Sequence, residues 1–521
     1  MRGAVPILVV AAALAVPAAA SAAKTCGEPG AAWERATPAE VGMDAAKVAQ
    51  AVDYGTANLG FAIRVYRHGC LVAEDRAAAL NRTQTFESWS MAKSVVSLLF
   101  GRAMTLGLIS PDDPVGALVP EADQAHGAIT IRDLLTMSSG LEWNGLRDYN
   151  LFTMPDRVRD ALTLPIAHPH GTYFEYAQSA VALLAEATGR AVGGDLQAWG
   201  QENLLDELGI DGANWRWERD PAGHVQGFTG VNMRPDDFAR LGDLMRRGGI
   251  WKGKRLLAQR YVREAVAPSA TNGCYGWLIW VNAGKPCIDP TITSRPYEDA
   301  RDFPDLPADM YRFSGLFGQL VTVFPAQDVE IVRLGQDSSL LFSGGSGWEH
   351  DLYAKVLASL TDTTVAPPAD APSAPAAAKA NADYGFQTAL LKPDQYKNGV
   401  VQDPLPAPGP DRARALRMRL ASTVASRKGV VTVRATCPAI RPGRAPASCR
   451  GRATLTSARS ATTYDLAAGK TAILRFTLTS AAQRALKRAG SAQLTATATN
   501  TDAGGGTPAT VTLAPKRPRA R

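Results

Sequence analysis

Three shortages bound what this chain can be. Cysteine and histidine number six each in 521 residues, and no cluster of the two has the spacing of a metal site, so neither a metal nor another cofactor is expected. His168 and His170 stand two apart in a Pro-flanked loop, a pattern of solvated side chains more than of ligands. Long apolar runs are missing beyond Ala20, so no later segment is long enough to cross a bilayer. Acidic residues nearly vanish from the last stretch. Asp411 to Arg521 holds 21 Lys and Arg against 3 Asp and Glu, a net of +18, while the rest holds 35 against 46, a net of −11. The overall +7 therefore hides an acidic body and a basic tail region. Such a basic surface suits an anionic cell-wall polymer or a membrane surface, with nucleic acid not expected for an exported chain. A solvated surface without a partner is an equal reading.

The expectation of export comes from the N-terminus. Arg2, the apolar run Val5–Ala20 and the small residues Ala20-Ser21-Ala22 follow the order of a secretory signal, with cleavage expected before Ala23. Pro6 and Pro17 argue against a retained span. A secreted or cell-envelope location is expected, and in that setting an even cysteine count predicts disulfides. Proximity favours Cys274–Cys287 and Cys437–Cys449, which leaves Cys26–Cys70.

Residues 1–22 thus read as signal, 26–362 as the body, 363–410 as a Pro/Ala-rich linker, 411–515 as a basic domain and 516–521 as a basic end. Phe61–Tyr66 and Cys70–Glu74 read as a hairpin around Arg67-His68-Gly69. Helical periodicity follows Ser90, and further helices are expected at Ile131–Met137, from Gln178 to a stop at Gly189, at Met233–Arg247 and at Trp348–Leu360. Tyr275–Val281, Gln319–Phe324 and Val329–Leu334 read as strands. Strands at both ends with helices between predict an α+β layout whose sheet is assembled from distant parts of the chain. In the basic domain, short alternating segments such as Val430–Ala435, Ala453–Leu455, Ala472–Leu478 and Gln493–Ala498 predict a small β-sandwich, with a helical turn near 481–489.

Chemistry is concentrated at Ser90-Met91-Ala92-Lys93. Positions i and i+3 share a helix face, so the Ser90 hydroxyl and the Lys93 amine can enter one site. A lysine whose surroundings disfavour the ammonium can take a serine proton, which makes a nucleophile without histidine. The pattern alone is common; Ser21-Ala22-Ala23-Lys24 matches it at the signal junction. Taken alone, a capping serine and a solvated lysine are the better reading. The surrounding residues reverse it.

Thr85-Phe86-Glu87-Ser88-Trp89-Ser90-Met91-Ala92-Lys93-Ser94, followed by Thr130-Ile131-Arg132-Asp133-Leu134-Leu135-Thr136-Met137-Ser138-Ser139-Gly140-Leu141, resembles the first motif and the next landmark of the serine β-lactamase and penicillin-binding-protein-like superfamily. The likeness covers roughly residues 35–360. It is nearest the class C-related branch, which includes esterases, D-amino-acid peptidases and 6-aminohexanoate-dimer hydrolases. It implies an antiparallel sheet with flanking helices and a helical subdomain. The family's Tyr-x-Asn motif is replaced by Tyr176-Ala177-Gln178, with Tyr173 a competing phenol. Its Lys-Thr-Gly or His-x-Gly motif is replaced by Phe313-Ser314-Gly315.

The resemblance implies catalysis by Ser90, Lys93 and Tyr176, an oxyanion hole from the backbone N–H groups of Ser90 and Leu316, and substrate contacts from Gln178, Phe313, Ser314 and Gly315. It also implies a loss. Where relatives place a cation for the substrate carboxylate, this chain has Phe313, although Arg312 could reach in. A small ester or amide, including an amide oligomer, is therefore expected as substrate. β-Lactamase or D,D-peptidase activity is the alternative, and a non-catalytic cell-wall-binding protein is a second.

Overall fold

The computed structural model describes residues 23–143, 147–148, 154–289, 297–336, 347–366 and 368–375, and in the C-terminal region chiefly the strands between Arg419 and Leu513. The signal segment, the Cys437–Cys449 pairing, the terminal basic end and most of the turn expected at 481–489 lie outside the described residues.

The body is organised by six strands. They are β1 (Gly60–Arg67), β2 (Cys70–Glu74), β3 (Trp280–Val281), β4 (Tyr311–Gly315), β5 (Gln319–Phe324) and β6 (Val329–Gly335). Their order across the sheet is β2-β1-β6-β5-β4-β3, and every pair is antiparallel. The N-terminal hairpin thus pairs with the last strand of the body, as the separated strand patterns require. His68 and Gly69 both take positive φ, the conformation that a two-residue hairpin turn needs.

Both faces of the sheet are covered, so its strands read as almost unbroken apolar runs. Ile63, Val65, Phe324 and Ile331 point to one face, where helices α1 (Ala45–Ala57) and α5 (Gly347–Leu357) pack. Ala62, Tyr66, Phe313, Val321 and Val332 point to the other, beneath α2 (Met91–Thr105) and α4 (Pro235–Arg246). The helical α3 (Gln178–Ala191) belongs to this second core. Asp44 starts α1 by accepting hydrogen bonds from the N–H groups of Ala46 and Lys47, both at 2.9 Å.

Several boundaries differ from expectation, three of them for a clear local reason. The helix expected from Met233 begins at Pro235, because Arg234 before the proline is extended (φ −73°, ψ 154°) and Met233 pairs with Phe86 in a small sheet. The helix expected to stop at Gly189 runs on to Ala191; Gly193, at φ +81°, makes the reversal instead. Of Tyr275–Val281 only the last two residues form a strand. The chain folds back there because the Gly276 backbone lies against Ala265, whose carbonyl oxygen would be 2.2 Å from a Cβ.

Cys26–Cys70 and Cys274–Cys287 are disulfide-bonded. No helix among the described residues is long and apolar enough to cross a membrane. The described strands from Arg419 to Leu513 form two antiparallel groups joined by a parallel pairing of Thr423–Arg427 with Gly506–Leu513.

Candidate active site

Ser90 occupies the N-cap position of α2, where the first N–H groups have no helical acceptor. The turn before it is tight: Met91 N–H donates to Ser88 O and Ala92 N–H to Trp89 O. Trp89 sits at φ +46°, a conformation that costs a bulky side chain about 1–3 kcal/mol and is typical of functional turns. Its ring meets Phe317, itself at φ +62°, edge-on at 5.1 Å. The Glu87 carboxylate accepts from Trp89 N–H at 3.1 Å. Burial pushes Glu87 up from the ordinary carboxylate range, and the hydrogen bonds it accepts pull it back.

Lys93 is 1% exposed. Its Nζ donates to Ser90 Oγ at 2.9 Å and to the Phe228 carbonyl at 3.3 Å, and it lies 4.6 Å from the centre of the Tyr176 ring. Burial pushes the amine down to about 7, with the Asp148 carboxylate pulling the other way. Asp148, 5% exposed, is pushed up to about 6 by burial, against the pull of backbone N–H groups and Lys93. Each group is destabilised as an ion more by burial than it is rescued by the other.

Sequence reasoning passed over Asp148, which lies in a stretch with no periodicity or motif. Its oxygens accept from Gln178 N–H at 2.9 and 3.1 Å, and Oδ1 from Ser179 N–H at 3.4 Å. It therefore caps α3 from a distant segment, at the residue just after Tyr176-Ala177. The landmark at 130–141 fixes the same approach from below. Thr130 and Asp133 form a reciprocal cap. Asp133 accepts from His170 Nδ1 at 2.8 Å, Glu175 N–H donates to Met137 O, and Gly171 N–H donates to Ser138 O.

These contacts separate the two candidate phenols. Tyr176 lies over Lys93, edge-on to Tyr275 and beside Trp280. Tyr173 is buried and stacks on His168 at 3.8 Å. His168 is thus engaged in packing, whereas His170 pairs with Asp133 while remaining exposed to solvent, as the sequence suggested. Gln178 is 4% exposed, and its Oε1 has no hydrogen-bond partner.

The end of β4 closes against the serine turn. A Cβ on Gly315 would fall 2.2 Å from Ser88 O and 3.2 Å from Met91 N, so glycine alone permits the approach. Leu316 follows at once and begins a short 3₁₀ turn. Ser314 is half-buried, whereas Phe313 is 1% exposed within the core and brings no charge. Arg312 is buried among Asp302, Glu349, Trp280 and Phe303 and is held there.

One group among the described residues has the makings of a cation site: Asp156, Asp220 and His224. Its groups are already engaged, His224 with Glu186 at 3.0 Å and Asp220 with the N–H groups of Arg157 and His224. It shares no residue with the Ser90 cluster.

Similar architectures occur among solved structures. A protein of Bacillus anthracis assigned as a 6-aminohexanoate-dimer hydrolase aligns with 17% identity over 58% of this chain and 79% of its own, at a TM-score of 0.48. D-alanine carboxypeptidase AmpC of Burkholderia cenocepacia aligns with 19% identity over 61% and 100%, at 0.44. EstCE1, a hydrolase with promiscuous acyltransferase activity, aligns with 17% identity over 60% and 98%, at 0.45. No curated protein matches the sequence. The family model described as beta-lactamase matches residues 46–355, more than half of the chain. With that match, the chain belongs to the beta-lactamase family, whose fold is that of serine hydrolases.

Proposed function

We propose that this protein is an exported serine hydrolase that cleaves a small ester or amide through an acyl-enzyme on Ser90. One observation carries the reading: a buried amine, shifted down to about 7, lies 2.9 Å from the hydroxyl at the start of α2. Ser90 Oγ attacks the carbonyl carbon while its proton passes to neutral Lys93, directly or through Tyr176. The N–H groups of Ser90 and Leu316 receive the developing oxyanion, each worth about 3–4 kcal/mol in such sites. Collapse expels the alcohol or amine, which takes up the proton. Water, giving its proton to the same pair, then releases the acid and restores Ser90.

The substrate preference follows from what lies near β4. With Phe313 in the core and Arg312 paired elsewhere, no basic side chain from this strand is available to a substrate carboxylate. This favours esters, amides or amide oligomers over β-lactams and D-Ala-D-Ala peptides. Two disulfides in the body support export, and the basic C-terminal region suits an anionic cell-wall polymer or membrane surface.

The test is a substrate panel of p-nitrophenyl esters, 6-aminohexanoate dimer, a chromogenic cephalosporin and a D-Ala-D-Ala peptide, with Ser90→Ala as control. Turnover of the first two classes that disappears in Ser90→Ala is expected. Turnover unchanged by Ser90→Ala would overturn the mechanism, and preference for the cephalosporin or peptide would overturn the substrate class.

A further inference from the structure

Glu87 has no part in the reaction above, yet its carboxylate joins two segments that meet there. Oε1 accepts from Trp89 N–H at 3.1 Å, Thr229 Oγ1 at 2.9 Å and Gly230 N–H at 2.7 Å. Oε2 accepts from Asn232 Nδ2 at 2.8 Å. Trp89 is the residue before Ser90 and is held at positive φ. Phe228, the residue before Thr229, offers the carbonyl to which Lys93 donates. The two segments also pair as strands through Phe86–Glu87 and Val231–Met233. A backbone pairing alone leaves the loop 228–230 and the Trp89 turn free to shift against each other. The carboxylate removes that freedom by holding both at one oxygen.

We propose that Glu87 is a positioning residue that ties the Ser90 turn to the carbonyl partner of Lys93, so that the Oγ–Nζ distance is set across two segments by one carboxylate. This rests on Ser90 and Lys93 being nucleophile and proton acceptor. Glu87 touches no reacting atom, so its removal acts on rate through misplacement. Losses of about 100-fold are usual for misplacement near 1 Å. The role depends on oxygen acceptors more than on charge. In Glu87→Gln the amide oxygen can take the three donors of Oε1, and Asn232 can turn its own amide to accept from the new NH₂.

The experiment compares full-length wild type, Glu87→Ala, Glu87→Gln and Ser90→Ala on a p-nitrophenyl ester, well below each melting temperature. Glu87→Ala is expected to lower kcat about 100-fold with KM moving less than about threefold. Glu87→Gln is expected to recover to within about fivefold of wild type. A folded Glu87→Ala within about threefold of wild-type kcat overturns the proposal, as does a Glu87→Gln as impaired as Glu87→Ala. Should Glu87→Ala not fold, Glu87→Asp keeps the charge but is one methylene too short to span both segments. It is expected to show the same kcat loss, and near-wild-type kcat there overturns the proposal. A dead Ser90→Ala beside a fully active Glu87→Ala overturns this inference alone. An active Ser90→Ala overturns the nucleophile assignment and this inference with it.

Discussion

Lys93 is expected to tie both activity and stability to pH at one residue, and in the same direction. Below about 7 it is an ammonium and cannot accept a proton; above, the free amine can. Ester turnover is therefore expected to climb as pH rises through about 7, and a flat profile from pH 5 to 9 would contradict the role. The sign for stability follows from proton counts. Between about 7 and the unfolded value of 10.5 the unfolded chain holds a proton that the fold does not, so stability gains from Lys93 as pH rises through that window. Denaturant melts of Lys93→Met should lack that part of the gain. Asp148 enters through its charge, which favours the ammonium. Asp148→Asn is expected to move the kinetic limb to lower pH by about one unit or less. The amide still offers an oxygen to the start of α3, so the melting temperature should change little. A limb that stays put or moves upward would count against coupling of Asp148 to Lys93. Ser90, Lys93 and Tyr176 were legible as a motif in order. Asp148 and Glu87 were not, because a carboxylate that caps another segment leaves no periodic trace in its own.

Elements, rather than side chains, set the gap between β4 and the serine turn. Gly315 lies at φ −132°, ψ 153°, where alanine is comfortable, so what opposes a Cβ is crowding, chiefly by Ser88 O. Gly315→Ala is expected to lower kcat/KM by about 100-fold and stability by about 1–3 kcal/mol. Retained activity would show that this strand end can retreat without harm. Gly140 differs in kind. It combines φ +77° with a Cβ position 2.1 Å from His168 O, so Gly140→Ala adds backbone strain to a backbone clash and should lower the melting temperature more than Gly315→Ala does. Element identity was readable from periodicity for β1, β2, β5, β6, α2, α3, α4 and α5, while α1 was not read. The boundaries at Pro235, Gly189 and Tyr275 escaped it, since each depends on what packs against the backbone there.

At the scale of the molecule, residues 372–374, inside the expected linker, pack on the body. Ala374 is buried in the body's core, its N–H donates to Lys285 O at 2.6 Å, and Lys285 N–H donates to Pro372 O at 3.0 Å. A chain ending at residue 410 is expected to hydrolyse a small soluble ester like the full-length protein. A chain ending at residue 370 should melt at a lower temperature, because it uncovers the surface that Ala374 fills. Loss of turnover in the 410 truncation would mean that the basic region shapes the site.

The amino-acid order by itself determined the α+β plan and the helix that carries Ser90 and Lys93 on one face, and it favoured the Cys26–Cys70 and Cys274–Cys287 pairs that the structure shows. These depend on period, spacing and proximity along the chain. The tertiary structure decided which tyrosine meets Lys93, how far burial lowers that lysine, and that Arg312 serves Asp302 and Glu349 instead of the site. Those outcomes come from desolvation and from contacts between residues far apart in sequence, which exist only once the segments have packed.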